Sequence, residues 1–170
     1  MANLTRHIAF IGTGIMGAPM ACNLLKAGFA VTVHTRTKFR AQPVLDAGAG
    51  WADTPAQAVA QADVVITCLP DTPDVQAVLL GENGVIGSAR SGLICVDTST
   101  ISPEATRRMA EILSQKGVVL LDAPISGGQI GAIEGKLSIM VGGPKDAFEA
   151  VYDVLQAMGR TITHCGPVGA

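Results

Sequence analysis

The chain has 170 residues, enough for one domain with a full core and short for two. Hydrophobic residues make up 48% and charged residues 15%, which excludes a disordered chain and points to an aliphatic core covered on both faces, as α/β proteins build it. The net charge of -2 leaves no overall field to draw the chain to nucleic acid or an anionic membrane.

Short β-rich runs alternate with helical patterns from the first residues. HIAFIG (7–12) reads as a strand ending in glycine. Residues 15–27 carry Met16, Met20, Leu24 and Ala27 at helical spacing, with Gly28 as a C-terminal stop. FAVTVHT (29–35) is a second strand, followed by a short helix through Ala47 that Gly48 ends. Thr54-Pro55 has the form of an N-cap with proline in the first turn. DVVITCL (63–69) and GLICVD (92–97) are nearly continuous apolar runs, expected of parallel strands buried on both faces. Ser102-Pro103-Glu104 opens a helix whose predicted inner face is Ala105, Met109, Ile112 and Leu113. GVVLLDAP (117–124) is a further strand, followed by a glycine-rich loop. KLSIMVGG (136–143), a helix over 144–158 and TITHC (161–165) complete the pattern.

Strands separated by helices predict right-handed crossovers and a Rossmann-type, doubly wound, largely parallel sheet with helices on both faces. No repeat or linker divides the chain, so 1–170 reads as one domain. The four cysteines, Cys22, Cys68, Cys95 and Cys165, form no CxxC pair, and the first three lie in apolar runs where an inert thiol is expected. No metal site is expected. The N-terminus lacks the apolar stretch of a signal peptide, and no run approaches the ~18–20 residues of a membrane span, so the chain reads as soluble and cytoplasmic.

Gly12-Thr13-Gly14-Ile15-Met16-Gly17 fits G-x-G-x-x-G, closing a predicted strand and opening a predicted helix. In that context Gly12 permits a tight turn, Gly14 lets backbone approach a pyrophosphate, and Gly17 lets helix pack on strand. The phosphates of a dinucleotide would rest on free N–H groups at the positive end of the helix. A strand-to-helix turn without a ligand is the alternative.

About 20 residues on, NAD-type sites place a carboxylate that accepts hydrogen bonds from the adenosine ribose. The sequence offers Val33, His34, Thr35 and Arg36 there, within HTRTKFR (34–40), and no carboxylate. Arg36, Thr37 and Arg40 supply the guanidinium groups and hydroxyl that a ribose 2′-phosphate seeks, which selects NADP(H) with NAD(H) as the alternative. A solvated turn would also fit the composition. Duplex nucleic acid is disfavoured, because three charges in a net-acidic chain bind it poorly.

DTSTISP (97–103) lies at the C-terminal end of a predicted strand, the edge where α/β folds collect ligands. In DAPISGGQIGAIEG (122–135), Ser126, Gly127 and Gly128 form a loop able to offer a hydroxyl and N–H groups to a small carboxylate. A connection that only turns the chain is the other reading.

FIGTGIMGAPMACNLLKAGF, CLPDTPDVQAVLLGENGVI, VDTSTISPEA and LDAPISGGQIGAIEGKLSIMVGG together resemble the β-hydroxyacid dehydrogenases, over essentially the whole chain and in order. The pattern is nearest the members acting on tartronate semialdehyde, with those acting on 3-hydroxyisobutyrate next. The resemblance implies reversible hydride transfer between NAD(P)H and a small 3-hydroxy acid or its semialdehyde. It implies that Ser126, Gly127 and Gly128 bind the substrate carboxylate and nearby oxygens. It further implies that Leu69 and Pro70 line the adenosine side of the cofactor and that Thr100 contacts it near the nicotinamide.

The family's general acid or base is a lysine on a long helix that begins shortly after the motif resembled by Gly166-Pro167-Val168-Gly169-Ala170. None of Lys26, Lys38, Lys116, Lys136 and Lys145 holds that place, and the family's helical second domain has no counterpart here. The expectation is therefore an N-terminal domain of a longer, homo-oligomeric enzyme, with no catalytic residue of its own. A silent dinucleotide-binding or interaction module is the alternative of another class. The gene beyond the Ala170 codon separates the two: a helix carrying a lysine supports the enzyme, and a stop supports the module.

Overall fold

The computed structural model describes residues 6–170. Alternation along β1 (His7–Ile11) sets the architecture: Ile8 and Phe10 point to one face of the sheet, Ala9 and Ile11 to the other, and all four are buried. A strand buried on both faces needs a helical layer on each side, and the chain supplies both.

Helix α1 (Gly17–Lys26) leads to β2 (Ala30–His34), which pairs parallel to β1. A 3₁₀ turn (Lys38–Ala41), α2 (Gln42–Asp46), β3 (Gly50–Trp51) and α3 (Pro55–Val59) come next, and β3 extends the sheet beyond β2. The chain then crosses to the other side of β1. There β4 (Val64–Thr67), α4 (Thr72–Leu80), β5 (Ile94–Asp97), α5 (Pro103–Ser114) and β6 (Val119–Asp122) add strands in the parallel order β3-β2-β1-β4-β5-β6. This is the doubly wound Rossmann order, and its switch point lies between β1 and β4. Beyond β6 come β7 (Ile125–Ser126), α6 (Gly128–Glu134), β8 (Leu137–Gly142), α7 (Lys145–Ala150), α8 (Tyr152–Met158) and β9 (Gly159–Gly166). Strand β8 runs antiparallel to β6 and β7, while β9 runs parallel to β8. Among the described residues the sheet has nine strands and is mostly parallel, as expected.

One core layer packs α1, α6 and α8 on Phe10, Val33, Ile66, Val96 and Leu121. The other packs α3, α4 and α5 on Ile11, Val65, Cys95 and Leu120. Full burial of each aliphatic side chain contributes about 1.5–3 kcal/mol, so neither layer is dispensable.

The N-cap expected at Thr54 is present, and Ser102 caps the helix expected to open there. Thr54 Oγ1 accepts from Gln57 N–H at 3.1 Å, and Ser102 Oγ accepts from Ala105 N–H at 3.3 Å. Three expectations need correcting. The inner face of α5 is Thr106, Met109 and Leu113; Ile112 is exposed and Ala105 only half-buried, because the stripe keeps the 3.6-residue period from Met109. The helix expected over 144–158 is two short helices broken at Val151, whose φ of -109° and ψ of 9° leave the helical region. The stretch read as a glycine-rich loop contains β7 and α6, with Gly128 and Gly131 inside the helix. Helix α4 is an addition, opened by Asp71, whose carboxylate accepts from Thr72 N–H at 2.7 Å.

Candidate functional site

At the switch point the end of β1 is pinned to β2 on one side and to the end of β4 on the other. Gly12 N–H donates to the His34 carbonyl at 2.9 Å, and Cys68 N–H donates to the Ile11 carbonyl at 3.0 Å. Gly12 has φ of +101°, and a Cβ there would collide with the Cys68 carbonyl oxygen. A Cβ on Gly17 would collide with the Gly12 carbonyl, so the loop folds flat against the start of α1. At Gly14 the same test meets no atom within 4 Å, which leaves that side of the backbone open. The first bond of the next turn runs from Ala18 N–H to the Gly14 carbonyl at 3.0 Å. Helix geometry leaves the preceding N–H groups without helical acceptors, at the positive end of α1. Thr13 is only 2% exposed, yet its Oγ1 has no hydrogen-bond partner among the described residues.

The loop opens into a cleft of ≈ 790 Å³ between the ends of β1, β2 and β4. Gly12, Gly14, Ile15, Met16 and Gly17 line one wall, Leu69 and Pro70 a second, and Arg36, Thr37 and Arg40 a third. Thr13 instead faces an adjoining groove between α1 and α6. The dinucleotide fits this loop on two counts: the pressed glycine turn and the open side of Gly14.

HTRTKFR divides in two. His34 is committed inward, its Nδ1 donating to the Ala52 carbonyl at 2.9 Å and its ring 5.6 Å from that of Trp51. Lys38 also turns to Trp51, with Nζ 5.2 Å from the ring centroid. Arg36, Thr37 and Arg40 are exposed and remain on the cleft. The wall facing Arg36 comes from α4, where Asp74 Oδ1 lies 3.5 Å from Arg36 Nη1. Asp74 was missed in the sequence because it lies far from the glycine motif; the D-T-P cap of α4 was the signal that could have found it.

Behind the Leu69-Pro70 wall is a buried polar network. Thr67 Oγ1 and Ser99 N–H both donate to Asp97 Oδ1, at 2.8 and 3.1 Å. Leu69 N–H donates to Ser99 Oγ at 2.9 Å, and Thr98 Oγ1 to the Thr67 carbonyl at 2.7 Å. Burial pushes the Asp97 carboxyl above the usual aspartate range, the Ser99 and Thr67 bonds oppose this, and the Asp122 charge adds to it.

Thr100 is exposed just beyond this network and does not line the cleft. Ser126, Gly127 and Gly128 are exposed at the end of β7 and the start of α6, also outside the cleft. The structure thus gathers the glycine loop, Arg36, Thr37, Arg40, Leu69 and Pro70, and leaves Thr100 and the 126–128 segment apart from them. Among the described residues no cluster of three or more His, Cys, Asp or Glu is placed to hold a metal, and no helix is long and apolar enough to cross a membrane.

Residues 7–166 match the family model described as the NAD binding domain of 6-phosphogluconate dehydrogenase. The chain belongs to this family of β-hydroxyacid dehydrogenase domains. It is 44% identical to the 3-hydroxyisobutyrate dehydrogenase of Pseudomonas aeruginosa over 163 residues, covering 96% of this chain and 55% of that protein. It is also 44% identical to the 2-hydroxy-3-oxopropionate reductase of Escherichia coli over 162 residues, covering 95% of this chain and 55% of that protein. The solved Mycobacterium tuberculosis 3-hydroxyisobutyrate dehydrogenase with L-serine superposes with a TM-score of 0.92 at 37% identity, over 98% of this chain and 56% of that one. The chain spans about half the length of the relatives it matches.

Proposed function

We propose that this domain binds NADP(H) in the 790 Å³ cleft and serves an oxidoreductase that acts on a small 3-hydroxy acid or its semialdehyde. The observation that carries the reading is the position of Arg36, Thr37 and Arg40 on the wall beyond β2, where no carboxylate comes after His34. The N–H groups of residues 13–17 hold the pyrophosphate, Leu69 and Pro70 flank the adenosine, and Thr100 meets the nicotinamide end. A bound nicotinamide supplies or accepts the hydride. Ser126, Gly127 and Gly128 orient the substrate carboxylate.

Tartronate semialdehyde, reduced to glycerate, is the substrate we assign first. 3-Hydroxyisobutyrate is the second, supported by the equal 44% identity to a dehydrogenase named for it. None of the five lysines holds the place that the family gives its proton-transferring lysine, so the 170 residues alone bind cofactor without turnover. The domain is read as part of a cytoplasmic homo-oligomer.

Titration with NADPH and NADH tests the cofactor. Arg36→Ala weakens NADPH by about 1.5–3 kcal/mol, the range for a charged hydrogen bond, and leaves NADH nearly unchanged. Equal losses for both cofactors would remove the 2′-phosphate reading. A panel of small semialdehydes offered to a protein of the relatives' length then ranks the substrates.

A further inference from the structure

The end of β2 offers no carboxylate, but the fold brings one to the same place from α4. Asp74 and Arg36 both line the cleft, with Oδ1 and Nη1 3.5 Å apart. The Arg36 side chain is 81% exposed and that of Asp74 only 27%. Asp74 makes no side-chain hydrogen bond among the described residues, and Arg36 is the cation paired with it there. The separation is too long for a good hydrogen bond, so the guanidinium is attracted and not locked.

We propose that Asp74 is a specificity-determining residue, competing with the ribose 2′-phosphate for Arg36 and so moderating the preference for NADP(H). This role rests on the one proposed for Arg36. The competition is electrostatic. A 2′-phosphate reaching Arg36 must draw the guanidinium from Asp74, and it enters the field of a half-shielded carboxylate. NAD(H) carries a hydroxyl at that position, needs no guanidinium there, and leaves the pair intact. The pair thereby favours the non-phosphorylated cofactor even though the loop after β2 is basic. Asp74 stands in the first turn of α4 and is not part of either core layer, so neutral replacements leave the packing undisturbed.

Titrating NADPH and NADH against the chain carrying Asp74→Asn tests this. NADPH should bind about three- to tenfold more tightly, while NADH stays within twofold. Asp74→Ala should act in the same direction, which separates charge from shape. In an Arg36→Ala background the gain from Asp74→Asn should shrink. Unchanged or weaker NADPH binding in both Asp74 variants overturns the proposal, as does an undiminished gain without Arg36. Weaker NADH binding also overturns it, since Asp74 would then be accepting the ribose hydroxyls. The single Arg36→Ala variant keeps the two readings distinguishable. If it weakens NADPH and NADH alike, Arg36 does not read the phosphate, whatever Asp74→Asn does.

Discussion

Gly12 and Cys68 are in such close register that a Cβ on the glycine would strike the cysteine's carbonyl oxygen. They lie just past the ends of adjacent parallel strands, and their contact draws the glycine loop and the Leu69-Pro70 wall to opposite sides of one cleft. Gly12→Ala meets both this collision and the strain of φ +101°. The strain alone costs about 1–3 kcal/mol, and relief requires β1 and β4 to part at their ends. Chemical denaturation should show at least that loss, and NADPH titration should show weakened binding. A variant as stable as the parent would mean the loop has room that the structure denies it.

Replacing Ser126 tests the substrate role proposed for it apart from cofactor binding. It is exposed at the end of β7 and makes no side-chain hydrogen bond among the described residues. Ser126→Ala in the 170-residue chain should therefore change stability by no more than about 0.5 kcal/mol. In a protein of the relatives' length the same change should lower kcat/KM for the semialdehyde and leave the NADPH Kd within twofold. An unchanged kcat/KM would return the segment to a purely structural role.

The thiols should react in order of access. Burial pushes the Cys95 thiol up to about 12, so it should resist alkylation until the protein unfolds. Burial also raises Cys68, which lines the cleft, and bound NADPH should slow its labelling further. Cys165 is exposed and should label first. Timed labelling read by peptide mass spectrometry checks the order; early modification of Cys95 in folded protein would contradict its place in the core.

Strands β1, β4 and β5 were legible in the sequence because burial on both faces leaves continuous apolar runs, and the glycine motif was legible because its spacing is local. The misses have a common cause in long-range contacts. Helix α6 contains two glycines and reads as a loop. It is held by Leu137, whose side chain leaves Gly127 and Gly131 little room for a Cβ, and by Asn23, whose amide donates to the Ala132 carbonyl at 2.8 Å. Asn23 lies 109 residues earlier in the chain, beyond the reach of any local pattern. Helix α4 buries only Val75 and Leu79, too few to mark a period. Within the site, the basic loop could be found by counting from Gly12, whereas Asp74 enters it from another element once the sheet has formed.

Asp97 tests whether the polar network behind the cleft is tuned by charge or by shape. Burial is the largest influence and raises its carboxyl, the Ser99 and Thr67 hydrogen bonds oppose it, the Asp122 charge adds to it, and the net shift is upward. The folded state therefore keeps the Asp97 proton to higher pH than the unfolded chain does. The stability contributed by that proton is full below the ordinary aspartate value and is lost as pH rises through the raised one. Asp97→Asn keeps an oxygen able to accept from Thr67 Oγ1 and Ser99 N–H, and cannot ionise. Comparing Tm for the two proteins should then show the variant gaining on the parent as pH rises from the ordinary aspartate value through the raised one. Below that window the two curves should run parallel. If they stay parallel throughout, the Asp97 carboxyl titrates alike in the folded and unfolded chains, and the network holds Leu69 in place by geometry alone.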